Sequence, residues 1–179
     1  MHHIIICGDC GDRELTKTIR SACRHYGGTI SFDGERIEQD AEDPAFMVLN
    51  VNALTEIRCS GLLIFGEALC QVSPKLKIGE AKVIFDGGNA GAVRLLSETG
   101  KPVIGCSLSG RDTVSFSSMT ENSGLVSIQR TLTTLGGQII EPSEICVRYH
   151  QGGISFPILA SCCALLLCDI PYEDGYILS

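Results

Sequence analysis

Tryptophan is absent from this 179-residue chain, and so are a run of basic residues and a long uncharged apolar stretch. The longest apolar stretch, residues 156–168, is too short to cross a bilayer. The first residues lack the basic start and long apolar core of a secretory signal peptide, so none is expected. With 14 basic and 21 acidic residues, the formal net charge of −7 at pH 7 repels nucleic-acid phosphates and anionic membranes. Neither is expected as a partner.

Cysteine, in contrast, occurs ten times. The spacing is irregular and unlike that of a secreted disulfide framework, which favours a reducing cytoplasm. The pair Cys7 and Cys10 leaves three interpretations open: structural thiols, a redox dithiol, or half of a zinc site that lacks a second such pair. Several cysteines lie in apolar runs, where they suit a core as small hydrophobic side chains. These are Cys7, Cys106, Cys162, Cys163 and Cys168.

Short apolar segments alternate with helical stretches between residues 3 and 106, which predicts an α/β fold with a largely parallel sheet. The continuous apolar run at residues 61–65 indicates burial on both faces. The polar, acidic segment 31–44 is expected on the surface. Strands are predicted over residues 3–7, 46–51, 61–65, 82–85 and 103–106, and helices over 12–26 and 92–99.

Beyond residue 107 the pattern changes to strict alternation, with Val114 and Phe116 on one face and hydroxyl side chains on the other. This predicts an antiparallel extension of the sheet in the C-terminal half. The last helix, over residues 156–168, is apolar nearly all round and should be buried. A single domain over residues 1–179 is expected from the length. The extension is predicted to comprise strands over residues 113–118, 125–130, 138–140 and 145–149.

Four stretches follow one another in an order that resembles a known family. They are Cys-Gly-Asp-Cys-Gly-Asp-Arg-Glu at residues 7–14, the strand at 48–54, the segments 83–89 and 103–106, and Gly-Gly-Ile-Ser-Phe at 152–156. This order resembles the central domain of the Mur ligases, the ATP-dependent enzymes that build the cell-wall peptide. The corresponding stretches of that family are, in the same order, Thr-Gly-Thr-Asn-Gly-Lys-Thr-Thr, a strand ending in Glu, an Asn-x-Asp-Asp loop before an Ile-Thr-Phe-Gly strand, and a helix that begins with Gly-x-His-Asn. The resemblance implies a three-layer, P-loop or Rossmann-like domain with helices flanking the sheet.

The chain departs from the family where ATP would bind. A phosphate-binding loop uses backbone N–H groups, a helix N-terminus and a lysine. Gly8 and Gly11 are kept, but Asp12 stands at the lysine position and Arg13 at the position of the magnesium-binding hydroxyl. Asn50 stands where the family's strand carries Glu. We therefore expect no ATP or magnesium cofactor, and no active ATP-dependent ligase.

The acidic side chains of this turn allow three interpretations. They can cap the first helix, because Asp9, Asp12 and Glu14 are favourable near a helix N-terminus. They can form a site for a cationic ligand with Arg13 beside it. In the third, Lys17, one turn further along, reaches a phosphate and preserves some nucleotide binding.

A second polar concentration lies at residues 107–113, where hydroxyl groups accompany Arg111 and Asp112. It can line a small-ligand site, or it can be an ordinary solvent-facing loop. The glycine-rich segment 86–91 is either a phosphate-binding loop or, more simply, a tight turn. The candidate ligand-binding residues are Gly8, Asp9, Cys10, Gly11, Asp12, Arg13, Ser107, Ser109, Arg111 and Asp112.

Two functions remain open. In the first, the chain is a non-catalytic Mur ligase-like domain that acts as a binding or scaffold module for a protein partner or a second copy of itself. The resemblance links this module to the cell envelope. In the second, it is a small-molecule or nucleotide-binding protein or a small enzyme. In this second hypothesis, the ligand binds to the turn at residues 8–13 and the loop at 107–113, which should meet in a pocket at the carboxyl ends of the strands.

Overall fold

A computed structural model of the protein describes residues 1–8, 14–51, 53–66, 72–150, 152 and 154–178, with the backbone alone for residues 72–75. Three helices lie in these residues: α1 (Glu14–His25), α2 (Ala90–Ser97) and α3 (Ser155–Leu167). The strands are β1 (His2–Cys7), β2 (Thr29–Phe32), β3 (Ile37–Gln39), β4 (Phe46–Val51), β5 (Leu54–Ile57), β6 (Leu62–Phe65), β7 (Val72–Ile78), β8 (Lys82–Asp86), β9 (Val103–Cys106), β10 (Val114–Met119), β11 (Ser123–Ile128), β12 (Leu132–Thr133), β13 (Ile139–Ile140), β14 (Ser143–Arg148) and β15 (Tyr176–Ile177).

Eleven of these strands form one sheet in the order β15-β14-β11-β10-β9-β8-β6-β1-β4-β2-β3. The run from β2 to β10 is parallel throughout. Strands β10, β11 and β14 pair antiparallel, and β3 is an antiparallel strand at the other edge. The predicted fold, a largely parallel α/β sheet with an antiparallel C-terminal extension, is confirmed.

Alternate side chains of the central strands enter two separate cores. In β1, Ile4 and Ile6 face the larger core, which α1 and α3 cover, whereas Ile5 and Cys7 face a smaller core beneath α2 and the β5–β7 pair. Strand β6 divides in the same way, and its four residues are all 0% exposed. The predicted burial on both faces of this strand is confirmed, and the domain has three layers.

Helix α3 is buried around its whole circumference, because α1 and the sheet pack against it on different sides. Its buried hydroxyl side chain, Ser161, donates to the Pro157 carbonyl at 2.7 Å and so brings no unsatisfied polar group into the core. The expected burial of this helix is confirmed. No helix within the described residues has the length and apolar character needed to span a membrane.

The expected surface position of residues 31–44 holds except at Ser31, which is buried. Strand β2 begins just before this segment and buries Thr29 and Ser31, while β3 lies inside it as an exposed edge strand. The Asp40 carboxylate accepts hydrogen bonds from the Thr29 backbone N–H and hydroxyl at 2.6 and 2.5 Å. The Thr29 hydroxyl can be buried at this edge because the Asp40 carboxylate accepts its hydrogen bond. The strands that the sequence patterns did not predict are β2, β3, β5, β7, β12 and β15.

Candidate functional site

The first predicted site begins at the carboxyl end of β1. Gly8 is buried and has a φ of 86°, a conformation that favours glycine. The Cys7 carbonyl accepts a hydrogen bond from the Gly66 N–H at 2.8 Å, which holds the ends of β1 and β6 together. Asp9, Cys10, Gly11, Asp12 and Arg13 lie outside the described residues, so their predicted roles stay predictions.

At the start of α1, Lys17 lies beside an acid. Its ammonium group donates to a Glu14 carboxylate oxygen at 2.8 Å, and both side chains are exposed, by 63% and 43% respectively. The Thr18 hydroxyl donates to the Glu14 carbonyl, also at 2.8 Å. An exposed pair of this kind contributes roughly 0–1 kcal/mol, so Lys17 can leave it readily. The negative charge of Glu14 suits the first turn of a helix.

Asn50, at the carboxyl end of β4, points into the space between its strand and α1. It is 3% exposed, and its side-chain N–H donates to the Thr16 hydroxyl at 3.0 Å. Its Oδ1 atom is buried and has no hydrogen-bond partner in the described part of the chain. An unsatisfied buried acceptor costs about 1–3 kcal/mol. The position where the family's strand carries Glu is therefore neutral here and joins a strand to a helix.

The second predicted site, the loop after β9, is closed by its own hydrogen bonds. The Ser107 hydroxyl donates to Asp112 Oδ2 and accepts from the Ser109 N–H at 2.9 Å. The Arg111 N–H is 3.3 Å from the Ser109 hydroxyl, and the Asp112 N–H donates to the Ser109 carbonyl at 3.1 Å. These polar groups stabilise the turn, while the Arg111 side chain stays exposed.

Asp112 connects this loop to the glycine-rich segment after β8. A Cβ atom on Gly87 would lie 2.2 Å from Asp112 Oδ2, and one on Gly105 would lie 2.7 Å from Oδ1. Glycine is therefore needed at both positions to admit the carboxylate. In the glycine-rich segment, the Asn89 side chain accepts from the Gly91 and Ala92 N–H groups at 3.0 and 3.1 Å and caps α2. The contacts favour the tight-turn interpretation of residues 86–91.

Gly8, the one described residue of the first predicted site, and Ser107, the first of the second, lie at the carboxyl ends of their strands but not side by side. Gly8 follows β1 and Ser107 follows β9, with β6 and β8 between them. Three strand spacings separate their strands by about 14 Å. Gly8 and Ser107 are therefore not in contact, and the meeting of the two loops stays a prediction because residues 9–13 lie outside the described residues.

A cavity of about 430 Å³ opens instead beside the first turns of α1 and α3, and is called the α1–α3 cavity below. Glu14, Lys17, Thr18 and Ser21 of α1 form a polar wall. Sequence reasoning missed this cavity because its walls come from distant segments. The one available signal was the resemblance around residues 152–156. The remaining walls are Tyr149, His150, Gly152, Ile154, Ile158 and Leu178.

The cysteines that were predicted to be structural are buried: Cys7, Cys106, Cys162, Cys163 and Cys168. Burial raises the pKa of Cys106 well above its ordinary value, and a hydrogen bond with Cys163 raises it further. Burial also raises the pKa of Cys168, to about 12. The Cys106 and Cys168 thiols therefore stay protonated at neutral pH. Within the described residues, no group of three or more His, Cys, Asp or Glu side chains is placed to hold a metal ion.

The order of strands and helices defines a three-layer α/β fold like that of the Mur ligase central domain. No protein-family model matches the chain, and no curated protein matches it in sequence. Solved structures are similar to it. The MurF ligase from Thermotoga maritima in complex with ADP is 9% identical with a TM-score of 0.58, covering 96% of this chain and 46% of that one.

Two further solved structures have a similar fold. MurF from Acinetobacter baumannii is 10% identical with a TM-score of 0.56, over 97% of this chain and 44% of its own. The murein peptide ligase Mpl from Psychrobacter arcticus is 11% identical with a TM-score of 0.51, over 98% and 47%. The chain spans slightly less than half the length of these structures. At such identities the likeness establishes the fold, and the predicted resemblance is confirmed at that level.

Proposed function

We propose that this chain is a Mur ligase-like domain that has lost ATP-dependent ligation and serves as a binding module. The observation that carries the proposal is that Asn50 is uncharged, buried and hydrogen-bonded to α1. The resemblance puts a glutamate at this position, and magnesium in nucleotide sites is bound through one or two carboxylates. Asn50 has no charge, is almost fully buried, and donates its side-chain N–H to Thr16.

The charges at the start of α1 support the same conclusion. A triphosphate needs positive charge at this helix end, and the sequence has Asp12 where the family has lysine. Lys17, the nearest basic side chain of α1, is already paired with Glu14. A nucleotide would have to approach the acidic side chains of this helix start, which opposes binding, whereas breaking the exposed Lys17–Glu14 pair costs only about 0–1 kcal/mol.

Thermal unfolding with and without millimolar Mg-ATP tests the loss of ATP binding. A ligand at 100 times its Kd stabilises a protein by about 2.7 kcal/mol. For a domain of this size that is a shift of roughly 5–10 °C. We expect no resolved shift. A shift of several degrees that requires magnesium would refute the proposal.

A matched pair of variants locates any shift that appears. Lys17→Ala removes the lysine next to the loop, and Lys77→Ala removes an exposed lysine of β7. If Mg-ATP stabilises the protein and only Lys17→Ala abolishes the effect, Lys17 has replaced the missing lysine.

The binding role requires a partner, and a second copy of the chain is the simplest one. The edge strand β3 has all its residues exposed, including Ile37 at 72%. An open strand edge with an apolar side chain favours pairing with another strand. Light scattering should give a dimer mass that Ile37→Lys lowers to the monomer. A strictly monomeric wild-type protein would contradict self-association.

A second function, small-molecule binding, is favoured by the α1–α3 cavity. Its volume of about 430 Å³ is within the roughly 300–1,000 Å³ range of ligand sites. Its walls combine polar side chains of α1 with the apolar Ile158 and Leu178. An NMR titration with small heterocyclic and aromatic compounds should shift the amides of Thr18, Ser21 and His150. Ser21→Tyr should abolish those shifts, and their persistence in that variant would refute the assignment.

A further inference from the structure

One edge of β9 is open beside a second cavity. Strand β9 pairs with β8 along its four residues, but β10 reaches it only at Cys106. The chain that follows β11 passes this open edge at residues 130–133 and leaves a cavity of about 330 Å³. We call it the β9-edge cavity. It shares no lining residue with the α1–α3 cavity. It shares only Thr113, at the end of the 107–113 loop, with the two predicted sites.

Its polar lining is basic and hydroxylic. Lys82 and Arg130 supply the charges, and Thr113, Thr131 and Thr133 supply hydroxyl groups. Among the residues that the structure describes, no carboxylate lines the cavity. Among the described residues, neither Lys82 nor Arg130 forms an ion pair, although the chain as a whole carries a net charge of −7. Two cations without acidic partners in an acidic protein indicate a site for a negative charge.

Arg130 is held in place while most of its donors stay available. One terminal N–H donates to the Arg111 carbonyl at 3.0 Å, which leaves the remaining guanidinium N–H groups for a ligand. Thr113 is 6% exposed. The nearby Glu141 is not a wall of the cavity, and the Thr131 hydroxyl lies 3.3 Å from its carboxylate.

We propose that the β9-edge cavity binds a small oxyanion, the carboxylate or phosphate group of a low-molecular-weight compound. A guanidinium group binds two oxygens of such a group side by side, and Lys82 adds a second positive charge. The hydroxyls of Thr113 and Thr133 can donate further hydrogen bonds, whereas the Thr131 hydroxyl already donates to Glu141. The volume, near the lower end of ligand sites, restricts the occupant to a small molecule. This inference does not depend on the proposed function.

An NMR titration of the full chain with inorganic phosphate and, separately, with malonate tests the proposal. Sodium chloride at matched ionic strength corrects for screening. We expect saturable shifts at millimolar ligand, confined to the amides of Val103, Ile104, Thr113 and residues 131–133. Tighter binding of phosphate would indicate a phosphate ligand, and tighter binding of malonate a carboxylate. Either outcome supports the site.

Variants assign the binding to the two cations. Arg130→Gln should weaken binding about tenfold or more, since it removes charged hydrogen bonds. Arg130→Lys, which keeps the charge but loses the paired donors, should weaken it less. Arg94→Gln and Lys77→Gln remove exposed charges elsewhere and should leave affinity unchanged. If circular dichroism shows that Arg130→Gln does not fold, Lys82→Gln carries the same test.

Three results would overturn the proposal: no saturable shift with either anion, equal shifts with chloride, or equal losses of affinity in Arg130→Gln and Arg94→Gln.

Discussion

The parallel and antiparallel parts of the large sheet are covered in different ways. In the parallel part, β6 is buried on both faces, by α3 and its core on one side and the α2 core on the other. In β14, of the antiparallel part, Ile145 and Val147 are buried whereas Glu144, Cys146 and Arg148 are exposed. Helix α3 packs against β8, β9 and β10, and therefore covers strands of both parts. Helix α2 covers the parallel part alone.

The difference explains the two sequence patterns. A strand between two apolar layers is apolar at every position, while a strand with one solvated face alternates. The loop from Ser107 to Asp112 joins β9, the last strand covered on both faces, to β10, the first strand covered on only part of its length. The following predictions test how strongly each part is held.

The largest effect is expected from a leucine of α3. Leu159→Ala should lower the free energy of unfolding by about 4–5 kcal/mol, because the side chain is 0% exposed and lies in a helix that is buried on all sides. The matched change in α2, Leu96→Ala, should cost only about 2–3 kcal/mol, since this eight-residue helix at the surface can relax. Urea denaturation measures both. An equal or larger loss for Leu96→Ala would contradict the unequal role of the two helices.

An intermediate effect is expected where the two parts join. Gly87→Ala should cost about 1–3 kcal/mol, because its Cβ would lie 2.2 Å from Asp112 Oδ2 and displace the carboxylate from Ser107. Gly110→Ala, in the same loop, has no atom within 4 Å of its Cβ and should be nearly neutral.

A double-mutant cycle between Gly87→Ala and Asp112→Ala separates the clash from other effects. Removing the carboxylate should recover at least about 1 kcal/mol of the glycine loss. Additive losses would mean that the contact between Gly87 and Asp112 does not determine the loop.

The smallest effect is expected at the β2–β3 edge. Burial alone would raise the pKa of Asp40, but hydrogen bonds from Thr29 and Arg24 outweigh it and hold the pKa below the ordinary 3.8. Its stabilisation is therefore complete above pH 4 or so and is lost as the pH falls through the lowered folded-state pKa. Asp40→Asn should cost about 1 kcal/mol at pH 7, and the difference from wild type should disappear in acid.

The control for this edge is Asp43→Asn, which changes an exposed carboxylate and should be neutral at both pH values. A difference between wild type and Asp40→Asn that persists at pH 2 would contradict the electrostatic explanation.

Sequence patterns predicted the well-covered strands closely: β4 and β9 have the predicted bounds, and β1 begins one residue earlier. The unpredicted strands are short or polar and are held by contacts between distant segments. Strand β2 depends on Asp40, and β15 on β14. Of the candidate site residues, the patterns identified the polar loop at 107–112 but not the direction in which Asp112 points, which depends on glycines in two other segments.

The layered fold and the burial of the last helix follow from apolar periodicity along the chain, and the lack of charge at Asn50 follows from residue type. Tertiary packing accounts for the remaining contacts. It brought Asn50 to Thr16, turned Asp112 against Gly87, and placed Lys82 and Arg130 in the lining of one cavity at the open edge of β9. Each of these contacts joins residues far apart in sequence, and the packing of strands and helices alone determines which of them meet.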